Sequence, residues 1–124
     1  MTEENRRQAV RHNIKVDVAV VTREAQSASA IATEISPDGI RIETAKVMQP
    51  GTQVAIFLQL QDEIQLRGTI LWTVGYLEKG LTMYQIGIKT EAIVRPDVTA
   101  IEHTDKADLV QEILLAIKMK DEPE

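Results

Sequence analysis

Two clusters in the chain hold residue types suited to chemistry. The first is Arg6-Arg7-Gln8-Ala9-Val10-Arg11, followed by His12, and the second is Glu34-Ile35-Ser36-Pro37-Asp38-Gly39. An arginine fork grips a phosphate bidentately or reads the O6/N7 edge of a guanine. In the second cluster, Pro37 presets φ for the second position of a type I turn, while Ser36 suits the first position and Gly39 the fourth. Such a turn leaves a hydroxyl and backbone N–H groups outward, a concavity that fits an anion. Alone, the arginine run reads as solvated surface and the S-P-x-G as a well-made hairpin loop. Together they suit a ligand that carries both guanine and phosphate.

Other chemistries find no residues here. His12 and His103 stand at no spacing that pairs a metal ligand or a nucleophile with its base. The chain has no cysteine, which removes disulfides and thiolate metal sites. There is no GxGxxG, Walker-type loop or HExxH. Asp62, Glu63, Asp105 and Asp108 read as turn and cap residues. Trp72 and Tyr84 fall in strand patterns and read as core or rim packing. We therefore expect no catalytic residue, no metal and no enzymatic activity. A net charge of −5 and an aromatic fraction of 3% disfavour a nucleic-acid partner, which calls for many phosphate-neutralising cations and stacking rings. No apolar run has the length of a membrane span, and the N-terminus lacks the apolar stretch of a signal peptide, so a cytoplasmic location is expected.

The elements that must position the two clusters follow from periodicity. The 124 residues suit one domain with a single modest core. Residues 1–13 read as a polar, arginine-containing N-terminal arm, 14–120 as the folded domain and 121–124 as a tail. From Ile14 to Val20 apolar and polar residues alternate, the signature of a half-buried strand. A second strand runs over about Ser27 to Ile35, with Ile31 and Ile35 on one face, Ala28, Ala30 and Ala32 on the other, and the inward face undecided. Ile40 to Thr44 is a third. If Ser36 to Gly39 form the loop between them, Ile35 faces Ile40 and Glu34 faces Arg41.

The turn at Pro50-Gly51 introduces a fourth strand through Val54, Ile56, Leu58 and Leu60. A fifth, about Ile64 to Val74, carries Gly68 as a bulge or bend. Gly75 to Gly80 reads as a loop, Met83 to Lys89 as a sixth strand, and the stretch after Arg95-Pro96-Asp97 as irregular. Leu109, Val110, Ile113, Leu114 and Ile117 then recur at helical spacing, with Thr104 or Asp105 as N-cap. That apolar stripe must be buried against the strands or against a second copy, as in a homodimer. The expected fold class is all-β, a six-stranded antiparallel barrel with a C-terminal α-helix.

These residues resemble the PilZ domain family. Arg7-Gln8-Ala9-Val10-Arg11 matches its RxxxR signature, and Glu34 to Gly39 matches its second signature, (D/N)xSxxG, in every place but the first, where Glu34 stands. The strands at Gly68 to Trp72 and Tyr84 to Ile88 look like later strands of the family, so the likeness covers nearly the whole chain. It implies a six-stranded barrel with a C-terminal helix that serves as a bacterial receptor for cyclic di-GMP and relays the signal to an unidentified downstream protein. By this resemblance Arg7 and Arg11 hold guanine edges and phosphates, Arg6 adds a further contact, and Ser36 binds a phosphate oxygen. Gly39 permits the close turn, and Glu34 takes the other guanine edge. The departure at Glu34 leaves a second reading open, a degenerate interaction module that binds no nucleotide.

Overall fold

The computed structural model describes residues 11–60, 64–95, 98–101 and 106–121. Strands β1 (His12–Thr22), β2 (Ser27–Ser36), β3 (Gly39–Thr44), β4 (Gln53–Leu58), β5 (Ile64–Glu78) and β6 (Leu81–Arg95) are all antiparallel to their neighbours. β1 pairs with β2 and β4, β5 with β4 and β6, and β3 with β2 and β6, so the six close into a barrel. Closure gives each of the six strands a partner on both sides over part of its length, so the ring itself has no open edge of the kind a flat sheet presents. The interior is aliphatic: Val18, Val20, Ile42, Ile56, Leu66, Ile70 and Ile86 are all buried.

A seventh strand, β7 (Val98–Ile101), lies where an irregular connection was expected. It pairs with β6 at Ile93↔Ile101 and Val94↔Ala100, because β6 continues beyond Lys89 to Arg95 and offers its edge. Helix α1 (Lys106–Asp121) settles where the apolar stripe goes. Val110 and Ile113 are buried, and Leu114 and Ile117 pack against the barrel core. The proposed N-caps Thr104 and Asp105 lie outside the described residues.

The expected loop from Gly75 to Gly80 is instead mostly strand. Pairing runs on through Gly75↔Tyr84 and Tyr76↔Met83 to Glu78↔Leu81. The turn shrinks to Lys79-Gly80, with φ of 53° and 81°. Positive φ at both positions is the type I′ geometry that matches the twist of a two-residue hairpin. Gly75 does not break the ladder, since the ring of Tyr84 lies across it, 3.3 Å from where a Cβ would stand.

Two register irregularities set which side chains face outward. On β2, Ala32 faces Ile42 and Glu34 faces Arg41, which leaves Thr33 as an extra residue. A bulge of this kind changes the parity of the strand. Ala30, Ala32 and Ile35 are therefore all inward while Ile31 is outward, so Ile31 and Ile35 do not share a face as the alternation predicts. On β5, Ile70 faces Ile88 and Trp72 faces Gly87, which makes Leu71 the extra residue. Gly68, where a bend was expected, also sits at an irregularity, and an added Cβ there would run into the carbonyl oxygen of Lys89.

Candidate functional site

The Thr33 bulge puts Glu34 and Ser36 on the outer face of β2, and the Leu71 bulge does the same for Trp72 on β5. Cross-strand pairing then aligns Glu34, Arg41, Gly87 and Trp72 in one row across β2, β3, β6 and β5. Gly87 contributes no side chain to that row. The indole of Trp72 occupies the space, and a Cβ at position 87 would collide with its ring.

The turn at the end of this row forms as the residue types predict, with Ile35 facing Ile40, Glu34 facing Arg41, and Ser36 facing Gly39 around Pro37-Asp38. Ser36 Oγ accepts from the Asp38 N–H at 3.3 Å, so one outward N–H of the turn is already held by the hydroxyl oxygen, whose own proton can still be donated. The Asp38 carbonyl accepts from Thr90 N–H at 3.1 Å, which ties the turn to β6. Gly39 is required by that same neighbour: an added Cβ would strike the carbonyl oxygen of Ile88. The need for glycine there comes from close strand packing, and the φ of Gly39 is not left-handed.

Arg41 is positioned from two sides. Its Nε donates to Thr33 Oγ1 at 3.1 Å, while Nη1 lies 3.9 Å from Glu34 Oε1. A partly buried pair at that long separation contributes only ~0–1 kcal/mol, so either partner is available to another ligand.

Glu34, Ser36, Asp38, Gly39, Arg41 and Trp72 line a single cleft of about 210 Å³, together with Arg11. Arg11 is exposed and precedes a strand whose first residues, His12 and Asn13, pair with Ile35 and Glu34, so the chain enters β1 beside the cleft. Of the sequence-selected residues, Arg11, Glu34, Ser36 and Gly39 are thus brought together, while Arg6 and Arg7 lie outside the described residues. Sequence reasoning missed three of the named members: Asp38 reads only as part of the turn, Arg41 only as a partner for Glu34, and Trp72 as packing. The signal that would have found Trp72 is the glycine opposite it.

A larger cavity of about 520 Å³, lined by Arg23, Gln53, Gln65, Arg67, Glu91 and smaller residues, lies over β1, β4, β5 and β6 and includes none of the selected residues. Among the described residues no three His, Cys, Asp or Glu side chains gather as a metal site.

A family model for the PilZ domain matches residues 5–103. A search of the curated proteins finds no match. Similar solved structures include K. pneumonia MrkH in its apo state, with a TM-score of 0.61 and 15% identity over 90% of this chain and 50% of that one. The Bacillus subtilis inhibitor of motility MotI/DgrA gives a TM-score of 0.60 and 17% identity over 94% of this chain and 53% of that one. At these identities the likeness is one of fold, and this chain spans about half the length of either protein. Since the family model covers well over half of the sequence, from the first arginine to the residues before the C-terminal helix, the chain belongs to the PilZ domain family.

Proposed function

We propose that the protein is a non-enzymatic receptor for cyclic di-GMP, acting in a bacterial cytoplasm and relaying the bound state to a downstream protein. The observation that carries this reading is the outward row of Glu34, Arg41 and Trp72 beside Ser36, open to an arginine arm that joins the barrel next to it. Each group has a role its chemistry suits. The Ser36 hydroxyl donates to a phosphate oxygen while still accepting from Asp38. Arg7 and Arg11, with Arg6, supply forks for phosphate and guanine edges. Glu34 accepts from guanine N–H groups, and the exposed face of Trp72 offers a surface on which a base stacks.

The expected bounds of 1–13, 14–120 and 121–124 shift slightly in this reading, because β1 begins at His12 and the helix ends at Asp121, so the arm runs through Arg11. Ordering of the arm over the ligand is the signal the partner reads. No helix among the described residues is long and apolar enough to cross a membrane. A second reading, an interaction module without nucleotide, is favoured by the pairing of Glu34 with Arg41 inside the protein. Calorimetric titration with cyclic di-GMP separates the two. Saturable heat supports the receptor, and no heat at high micromolar ligand leaves the interaction module.

A further inference from the structure

The β5–β6 hairpin extends past the barrel and, among the described residues, leaves one edge of β5 without a strand. β4 accompanies β5 only as far as Thr69. The turn before β4 covers one more residue: Ile70 N–H donates to the Thr52 carbonyl at 2.9 Å, and the Ile70 carbonyl accepts from Gly51 N–H at 2.7 Å. From Leu71 to Leu77 no strand pairs that edge among the described residues. Proteins protect such edges with lysine, proline or inward charges. The stretch Gly68–Leu77 has no charged residue and no proline. It also exposes apolar surface, with Leu71 56%, Val74 54% and Leu77 75% accessible.

We propose that this edge docks a second copy of the chain, β5 pairing antiparallel with β5 about a two-fold axis at Val74. The sequence is self-complementary in that register. Leu71 faces Leu77, Trp72 faces Tyr76, Thr73 faces Gly75, and Val74 faces itself, so apolar or aromatic side chains meet their like and no charge is opposed. The ladder ends at Leu71, the first residue beyond the backbone bonds of the Gly51-Thr52 turn, and within it the Thr73 hydroxyl keeps its bond to the Met48 carbonyl at 2.7 Å. Moving the axis to Gly75 would set Trp72 against Glu78 and Leu71 against Lys79, desolvating both charges of each copy without partners. An isologous pair of this kind closes on itself and covers the open β5 edge of both copies.

The chain has no cysteine, which makes the axis directly testable. Opposed residues of an antiparallel pair have Cα atoms roughly 4.5–5.5 Å apart, within the span a disulfide bridges. Under mild oxidation full-length Val74→Cys is expected to form a covalent dimer, while Leu81→Cys, exposed on the same hairpin but on β6, stays monomeric. By sedimentation the unsubstituted protein is expected to show a concentration-dependent dimer. Val74→Lys, which sets two ammonium groups against each other, should weaken that dimer by about tenfold or more with its circular dichroism and melting retained. A protein that stays monomeric through high micromolar concentration overturns the proposal. So does equal cross-linking at positions 74 and 81, or a dimer that Val74→Lys leaves intact, since either places the interface elsewhere.

Discussion

Replacing Gly87 by alanine tests the outer-face row at its narrowest point. The new methyl would stand where the indole of Trp72 now lies, so the ring must lift away from β6. Trp72 is 39% accessible, which gives the ring solvent to swing into and keeps the barrel interior out of the clash. The loss is then the buried part of one aromatic contact. A tryptophan buries roughly 150–250 Å², and if half of that is surrendered at about 25 cal/mol per Å² the cost is about 2–3 kcal/mol, an upper figure. For a domain of this size that lowers the melting temperature by up to about 12 °C.

Trp72 is the single tryptophan, so its emission reports the event without a label. Gly87→Ala is expected to shift the emission maximum to the red in the free protein. It should also weaken cyclic di-GMP by the value of one base–aromatic stack, about 1–3 kcal/mol or roughly 5- to 150-fold in Kd. Unchanged emission and melting would refute the packing of Trp72 on Gly87. A shifted emission with unchanged affinity would show that the ring is no platform for a base.

Three further outcomes follow from the same geometry. Glu34→Asp draws the carboxylate back by about 1.5 Å, toward the position of the family's acid, and frees Arg41 from its pair; calorimetry should show tighter binding by one to two decades, and an unchanged or weaker Kd would contradict this account of position 34. Arg7→Ala and Arg11→Ala should each abolish most of the binding heat while leaving the melting temperature unmoved, because Arg11 is exposed and outside the core. Tyr76 titrates above its ordinary value, first through burial and then through the Glu43 carboxylate, to which its hydroxyl donates at 3.2 Å, with Glu78 adding a smaller share. The folded state therefore holds this proton more tightly than the unfolded one. The resulting stability is fully present below the unfolded-state pKa of ~10 and is lost as pH rises through the folded value. Urea midpoints should fall less over that window in Tyr76→Phe than in the unsubstituted protein, and equal falls would show that the phenol is not coupled to folding.

The turn between β2 and β3 was legible because its residues act locally. Serine at the first position and proline at the second favour the turn, the turn fixes the register, and the register delivers Glu34 opposite Arg41, while Gly39 is needed for its close approach to β6. The stripe through Val110 and Ile113 was legible for a similar reason, since a helix repeats its pattern over several turns. What covers that stripe was not readable, because burial against the barrel and against a second copy demand the same apolar residues. The β5–β6 hairpin was misread because Gly75 and Gly80 both suggest a loop. Only the partner strand reveals that Gly75 lies under the ring of Tyr84 while Gly80 makes the turn.

Glu34 and Trp72 show a more general limit. Periodicity assigns a face by counting in twos, and one extra residue reverses the count for everything beyond it. On β2 strict alternation from Ala28, Ala30 and Ala32 would send Glu34 and Ser36 into the core, yet Thr33 is the added residue that sends them outward. On β5 alternation from Leu66, Gly68 and Ile70 would bury Trp72, and Leu71 turns it out. Both reversals fall immediately before a residue of the cleft. A carboxylate or an indole in phase with an aliphatic core is therefore informative before any coordinates are known. Burying an unpaired charge is costly enough that the strand must change parity ahead of it. In the receptor reading proposed above, the break in parity marks where the outer face is given over to the ligand.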